Sequence, residues 1–376
     1  MSARKTTRTP SGKKSRPVGA SVPPAERVFE PAEPVVDPIL PSVSDGGPGA
    51  KRTRLTHARK RPPAGVKRAA AGATVSDSAA PAEALKALHA PEVAVYPIHF
   101  EPSQRASLDP AFIPLDNAGR VDPLFEFAVF ERLAADDGVR LAPMWGAVSW
   151  RFGAKTGLTG QQWLDQMRQL PGADVYFCNP SPENEGLYAS PWQQGVAKHP
   201  RLKELAGQVV ACSGIDAREL EDILPSQAFS SCNYFVGNAR FWELYLPFVR
   251  GVVEAARRRL PAAVLAELDS SKADPMGLHP GATYWPFIVE RLFTLFLNRH
   301  AGEVKAQKIP LPALEARLNA HLKRLREMKD VAHRTRSQWL YGCWLNYRNL
   351  YLLHAAGKEW CARHLPALVS KEVRFG

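Results

Sequence analysis

The sequence predicts an α/β domain with a largely parallel sheet, preceded by a basic tail, on three observations. Short apolar runs at 93–98, 144–150, 173–178 and 229–236 alternate with helix-like stretches, the pattern of a sheet built by crossover connections. All nine Trp lie between Trp145 and Trp360, whereas residues 1–90 hold a single aromatic, Phe29, and 12 of the 33 Pro. No internal repeat is visible, which argues against a solenoid or propeller.

Residues 1–90 carry 16 Lys and Arg against 7 Asp and Glu, leaving 33 against 30 for the remainder. Most of the net charge of +12 thus sits in a segment with too few large apolar groups to offset the entropy of ordering it. The tail is expected to be disordered, Pro/Ala-rich and able to meet nucleic acid or anionic lipid by charge alone. Its basic clusters have no interleaved aromatics, so base stacking is not suggested. Residues 91–305 read as the α/β domain and 306–376 as a helical extension. Five cysteines without paired spacing read as buried thiols in a reducing compartment. No apolar run reaches membrane-spanning length and no apolar stretch follows the N-terminus, so the expected location is the cytoplasm, including the inner face of a membrane.

Val93-Ala-Val-Tyr-Pro-Ile-His-Phe100 reads as a strand ending near Pro97. Asp122-Pro123 reads as an N-cap with Pro at the first helical position, predicting a helix over 123–136. Met144–Trp150 is a strand. Thr159-Gly-Gln-Gln162 is a capping box opening a helix that carries Trp163, Met167 and Leu170. The strand over 173–178 ends at Asn179-Pro180, and the 17 residues to Gly195 read as a long functional loop. Short helices follow near 200–206 and 217–224, then a strand over 229–236. Asn238 caps a helix that Pro247 is expected to kink or divide. Pro286 starts a strongly apolar helix to about Asn298, and 311–365 is helical.

No Gly-x-Gly-x-x-Gly, Walker lysine, His-Glu-x-x-His or Gly-x-Ser-x-Gly is present, which counts against dinucleotide oxidoreductases, P-loop NTPases, zincins and α/β-hydrolases. The polar residues cluster instead at strand ends, where open α/β sheets bind ligands. His99 and Glu101 follow the first strand; Ser149, Arg151 and Lys155 follow the second; Asn179, Glu183 and Glu185 follow the third; Asn233 lies in the fourth. Two cations and a polar loop at such an edge suit a diphosphate.

Gly146-Ala-Val-Ser-Trp-Arg-Phe-Gly-Ala-Lys-Thr-Gly157, Asp174-Val-Tyr-Phe-Cys-Asn-Pro180, Trp192-Gln-Gln-Gly195 with His199-Pro200, Cys232–Trp242 and Tyr284–Phe293 together resemble bacterial surface-polysaccharide glycosyltransferases of the capsule and O-antigen type. The resemblance covers roughly residues 93–300. It implies a GT-A-like fold: a mixed, mostly parallel sheet flanked by helices, binding a nucleotide-diphospho-sugar. It also implies transfer of the sugar to a cell-surface polysaccharide or lipid-linked glycan. Many such enzymes hold Mn or Mg with an Asp-x-Asp, which this chain lacks; Glu183-x-Glu185 is its nearest substitute.

The resulting expectations are Arg151 and Lys155 as diphosphate clamps, with His99, Ser149, Asn179, Asn233 and Arg291 around the donor. Trp192, Gln193 and His199 would meet the acceptor or sugar. Glu290 would be the base, with Asp174 as a further carboxylate. Each has a plain alternative: surface cations, an aromatic anchor for the loop, a helix-capping histidine, an ordinary ion pair at Glu290–Arg291. Glu290, Arg291, Thr294 and Asn298 share one narrow arc at about 100° per residue. Leu314, Leu318, Leu322, Leu325 and Met328 line one side of the C-terminal helices. Arg317, Lys323, Arg324, Arg326, Lys329, Arg334 and Arg336 form a basic face that either meets an anionic membrane or stays in water. Two other functions fit the charge and the missing Asp-x-Asp: a non-enzymatic basic protein binding nucleic acid or membrane, and a glycan-binding module without catalysis.

Overall fold

A computed structural model describes residues 91–120, 122–273, 282–370 and 372–376. The expected disordered tail, residues 1–90, lies outside the described residues. Strand β1 (Val93–His99) pairs in parallel with β2 (Leu115–Asp116) and with β3 (Met144–Ser149). Strand β4 (Val175–Phe177) is parallel to β7 (Ala306–Lys308). Between β3 and β4 runs β6 (Phe235–Asn238), antiparallel to both. The six-stranded order is β2-β1-β3-β6-β4-β7, and a separate pair joins β5 (Asp222–Ile223) to β8 (Arg374–Phe375). This is the mixed, mostly parallel α/β sheet that the alternation of runs predicts.

Side chains that alternate along a strand point to opposite faces, and here both faces are covered. Ala94, Trp145, Ala147, Val175, Phe177 and Phe235 enter one core with helices α1 (Glu126–Ala134), α6 (Leu202–Ala211), α7 (Ala239–Arg259) and α8 (Tyr284–Arg299). Val95, Val148, Tyr176, Tyr234 and Val236 enter a second core with α2 (Phe152–Thr156) and α3 (Gly160–Gln169), through Phe152, Trp163 and Met167. Aromatic stacking ties helix to sheet: Trp145 lies 4.0 Å from Trp242, and Phe235 lies 4.4 Å from Phe293. Gly146 lets β3 and β6 close on each other. A Cβ there would lie 2.2 Å from the Phe235 carbonyl oxygen.

Local signals succeed where neighbours decide. The Thr159 capping box forms with both of its hydrogen bonds, and Asn238 caps α7 through the Phe241 N–H at 3.0 Å. Several expectations are corrected. Asp122 accepts from the Leu124 N–H in a turn, so the helix begins at Glu126. Helix α7 is not divided at Pro247; that proline is exposed, so the carbonyl it leaves without a donor can turn to water. The strand expected over 229–236 is confined to Phe235–Asn238.

The expected long loop is also absent. It folds as α4 (Pro182–Leu187) and α5 (Pro191–Val196), each opened by a proline and largely buried. A further core unites Leu187, Tyr188, Ala189, Ile223 and Phe229 with α9 (Ala320–Thr335) and α10 (Gln338–His364). The boundary expected at 305/306 does not separate two units, because β7 and β8 pair with strands that precede it.

Candidate active site

Because β6 runs against its neighbours, the carboxyl ends of β1, β3 and β4 meet the residues leading into β6 along one edge. The chain leaves β1 towards β2 on one side and β3 on the other. Such a switch in direction opens a crevice at the strand ends. His99 ends β1 and Ser149 ends β3, so these two flank it. His99 is buried, and neither ring nitrogen has a hydrogen-bond partner among the described residues. A buried imidazole in that state is primed for a ligand or water.

Past β3, the Arg151 N–H donates to Ser149 Oγ at 3.1 Å, and the guanidinium lies 5.8 Å from the Trp150 ring. One turn on, the exposed Lys155 places its Nζ 5.8 Å from the centre of the Tyr234 ring. Burial raises the Tyr234 hydroxyl well above its ordinary range. Burial likewise pushes the Cys232 thiol up to about 12, with Glu290 adding to the effect. Asn233, between them, is buried.

Glu290 sits on α8 with a quarter of its side chain open. Burial pushes its carboxyl up to about 7. Arg291 opposes the rise, Glu126 adds to it, and Lys155 and Lys198 pull the other way. Burial lowers the ammonium of the half-buried Lys198, which also feels Arg291, Glu183, Glu290 and Lys155. A carboxyl that titrates near neutrality among cations can accept a proton from a hydroxyl while those cations face an anion.

Other expected site residues are occupied internally. Asp174 lies at the opposite end of β4, accepting from Asn238 Nδ2 at 2.8 Å and the Lys305 N–H at 2.9 Å. Burial works against its ionisation, yet those two donors hold the carboxyl below its ordinary value. It braces strand ends and does not reach the edge with Glu290. Arg291 is buried and donates to the Pro191 and Phe287 carbonyls at 2.9 and 2.8 Å and to Gln194 Oε1 at 2.7 Å. Thr294, on the same arc, donates to the Ser230 carbonyl. The arc therefore faces protein, and Arg291 Nη1 also donates to Glu290 Oε2 at 3.3 Å, the ion pair of the plain alternative. Trp192 is buried, and Gln193 bonds the Ala189 N–H and the Leu368 carbonyl. His199 bonds the Ala273 carbonyl at 2.7 Å and stacks on Phe287 at 3.7 Å. These three are anchors. Asn179 holds Glu185 and the Ser181 carbonyl.

The carboxylate pair suggested for a metal does not fit one. Glu185 is 2% exposed, and its charge is already met by Lys308, by Arg326 at 3.6 Å and by the Asn179 amide at 2.8 Å. Burial raises the Glu183 carboxyl, which faces the charge of Lys198. Among the described residues no group of three or more His, Cys, Asp or Glu is arranged to hold a metal ion.

Glu126, Lys198, Cys232 and Tyr234 join the site without being singled out by sequence. Only the chain position of Cys232 and Tyr234 beside Asn233 hints at their place; Glu126 and Lys198 carry no local signal. No protein family matches this chain, and neither a curated protein nor a solved structure does.

Proposed function

We propose that the chain is a glycosyltransferase of GT-A-like fold, moving a sugar from a nucleotide-activated donor to a hydroxyl of a surface polysaccharide or lipid-linked glycan. The observation that carries this reading is Glu290, a carboxyl paired with Arg291 at 3.3 Å, pushed by burial up to about 7 and within the fields of Lys155 and Lys198. The mostly parallel sheet with one reversed strand supports it, as does the unpartnered His99 at the switch point. In this mechanism Glu290 takes the proton of the acceptor hydroxyl as its oxygen bonds the anomeric carbon. The bond from that carbon to the diphosphate breaks, and Lys155 and Lys198 stabilise the departing anion, with Arg151 at the same strand end. His99 and Ser149 hold the donor.

A thermal-shift screen of nucleotide-sugars, with and without manganese, tests the donor. A specific ligand at tenfold its Kd stabilises the fold by about 1.4 kcal/mol. Lys155→Ala is expected to weaken that ligand by about 1.5–3 kcal/mol, the range of charge-assisted contacts, with the ligand-free midpoint unchanged. Binding without transfer to any glycan would favour a glycan-binding module. No stabilisation by any nucleotide-sugar would remove the transferase reading.

A further inference from the structure

We propose that the outer face of α10 docks on an anionic lipid bilayer, with Trp339, Leu350 and Leu353 entering the boundary between headgroups and acyl chains. The inner face of α10 is fully used: Tyr341, Trp344, Arg348, Tyr351 and Leu352 are buried against the rest of the protein. Its outer face carries three large apolar side chains in water. Trp339 is 80% exposed, Leu350 66% and Leu353 42%. At about 100° per residue these three, with Asn346, fall within an arc of about 60°. They span roughly 21 Å of helix.

Charge narrows the choice of partner. Between Asp330 and Glu359 the chain has no carboxylate. Arg334 and Arg336 are exposed at the Trp339 end, Lys358 is exposed just past the break in the helix at Gly357, and none of the three forms an ion pair among the described residues. An indole and two leucines with exposed arginines at one end, on a chain segment without acids, match an anionic headgroup layer over an apolar interior. A second copy fits poorly, because a two-fold contact through this face would bring its cations near their own counterparts. The basic face expected on the C-terminal helices is only partly open: Arg317, Lys323, Arg324, Arg334 and Arg336 are exposed, and the other two are not. Arg326 is held by Glu315 and Glu185, and Lys329 is wholly buried. The exposed apolar side chains Trp339, Leu350 and Leu353 lie on α10.

The test uses the full chain and vesicles of phosphatidylcholine with or without phosphatidylglycerol. The wild type is expected to sediment with the anionic vesicles and to be released near about 0.5 M salt. Trp339→Glu with Leu350→Glu should weaken partitioning at least about tenfold at an unchanged thermal midpoint. The sixteen cations of residues 1–90 can bind the same vesicles, so a depth readout separates the two. Lipids brominated in the acyl chain should quench the wild type more than Trp339→Phe, which lacks the inserted indole. Equal partitioning of the glutamate variant would overturn the proposal, as would equal quenching of Trp339→Phe. A solution dimer abolished by the glutamates, with vesicle binding intact, would assign the face to a second copy instead.

Discussion

Glu290 combines two neighbourhoods in one side chain. Its backbone belongs to a helix buried nearly all round, and its carboxyl, paired with Arg291 at 3.3 Å, also feels the charges of Lys155 and Lys198. A base whose folded pKa is about 7 should give kcat/KM an ascending limb with its midpoint near that pH. Glu290→Gln keeps the shape and removes the basicity. Turnover should fall by about 10²–10⁴-fold with donor affinity nearly intact, and the limb should vanish. Stability supplies an independent readout. The folded protein holds a proton on Glu290 that the unfolded chain releases from its ordinary value of 4.5 upwards. The protonated form's contribution is thus complete below that pH and lost as pH rises through about 7. Glutamine cannot ionise, so the variant's thermal midpoint should gain on the wild type between pH 5 and pH 8. Wild-type turnover in Glu290→Gln would pass the role of base to another carboxylate, with Glu126 and Glu183 in the same cluster.

At the level of elements, the segment from α4 to α5 is held by three buried cations from three different helices. Arg291 on α8 donates to the Pro191 carbonyl, Lys329 on α9 to that of Tyr188, and Arg348 on α10 to that of Leu187. Burial lowers all three, Lys329 to about 8 and Arg348 to about 10. Backbone carbonyls facing a core need donors, and long cationic side chains supply them across helix boundaries. Gly195 makes the Arg291 approach possible, since a Cβ there would lie 2.7 Å from Nε. Arg348→Met should leave the Leu187 carbonyl without its donor in a dry site, while Gln193 Oε1 keeps the Ala189 N–H. A loss of about 2–4 kcal/mol follows. Urea unfolding checks it: the midpoint should drop while m stays constant. An unchanged midpoint would mean that the segment holds without Arg348.

Across the whole molecule, the C-terminal helices complete the fold instead of decorating it. Trp344 is wholly buried and donates to the Gly186 carbonyl at 2.8 Å, and Asp330 accepts from Ser226. Removing residues 311–376 would expose Leu187, Tyr188 and Phe229 and strand the carbonyls that Lys329 and Arg348 satisfy. The chain truncated after Pro310 should therefore lose cooperative unfolding, and the full chain should show one transition for residues 91–376. A sharp thermal transition in the truncated protein would establish the extension as a separable unit. The partition of charge and aromatic residues at residue 90 remains a property of composition, since residues 1–90 lie outside the described structure.

Thr159 with Gln162, Asn238 with Phe241, and the apolar runs at 93–98 and 144–150 were legible in the chain because caps and strand periods depend on neighbours a few residues apart. The α/β class follows from their alternation, and the polar strand ends at His99, Ser149 and Lys155 follow from where those runs stop. Long-range desolvation obeys no such rule. Glu126, Lys155, Lys198, Cys232 and Glu290 are drawn together from five places, and their spacing in sequence does not encode the meeting. Asp174 and Glu290 are both carboxylates beside apolar segments. One is tied to an amide and a backbone N–H at the far edge, the other meets Arg291 at 3.3 Å and keeps its proton up to about 7. Arg291 lies next to Glu290 in the chain, yet a turn of about 100° sends it into the core. Local chemistry thus marks the strands and their ends, whereas burial and the reversed strand decide which charges meet and which are spent holding the backbone.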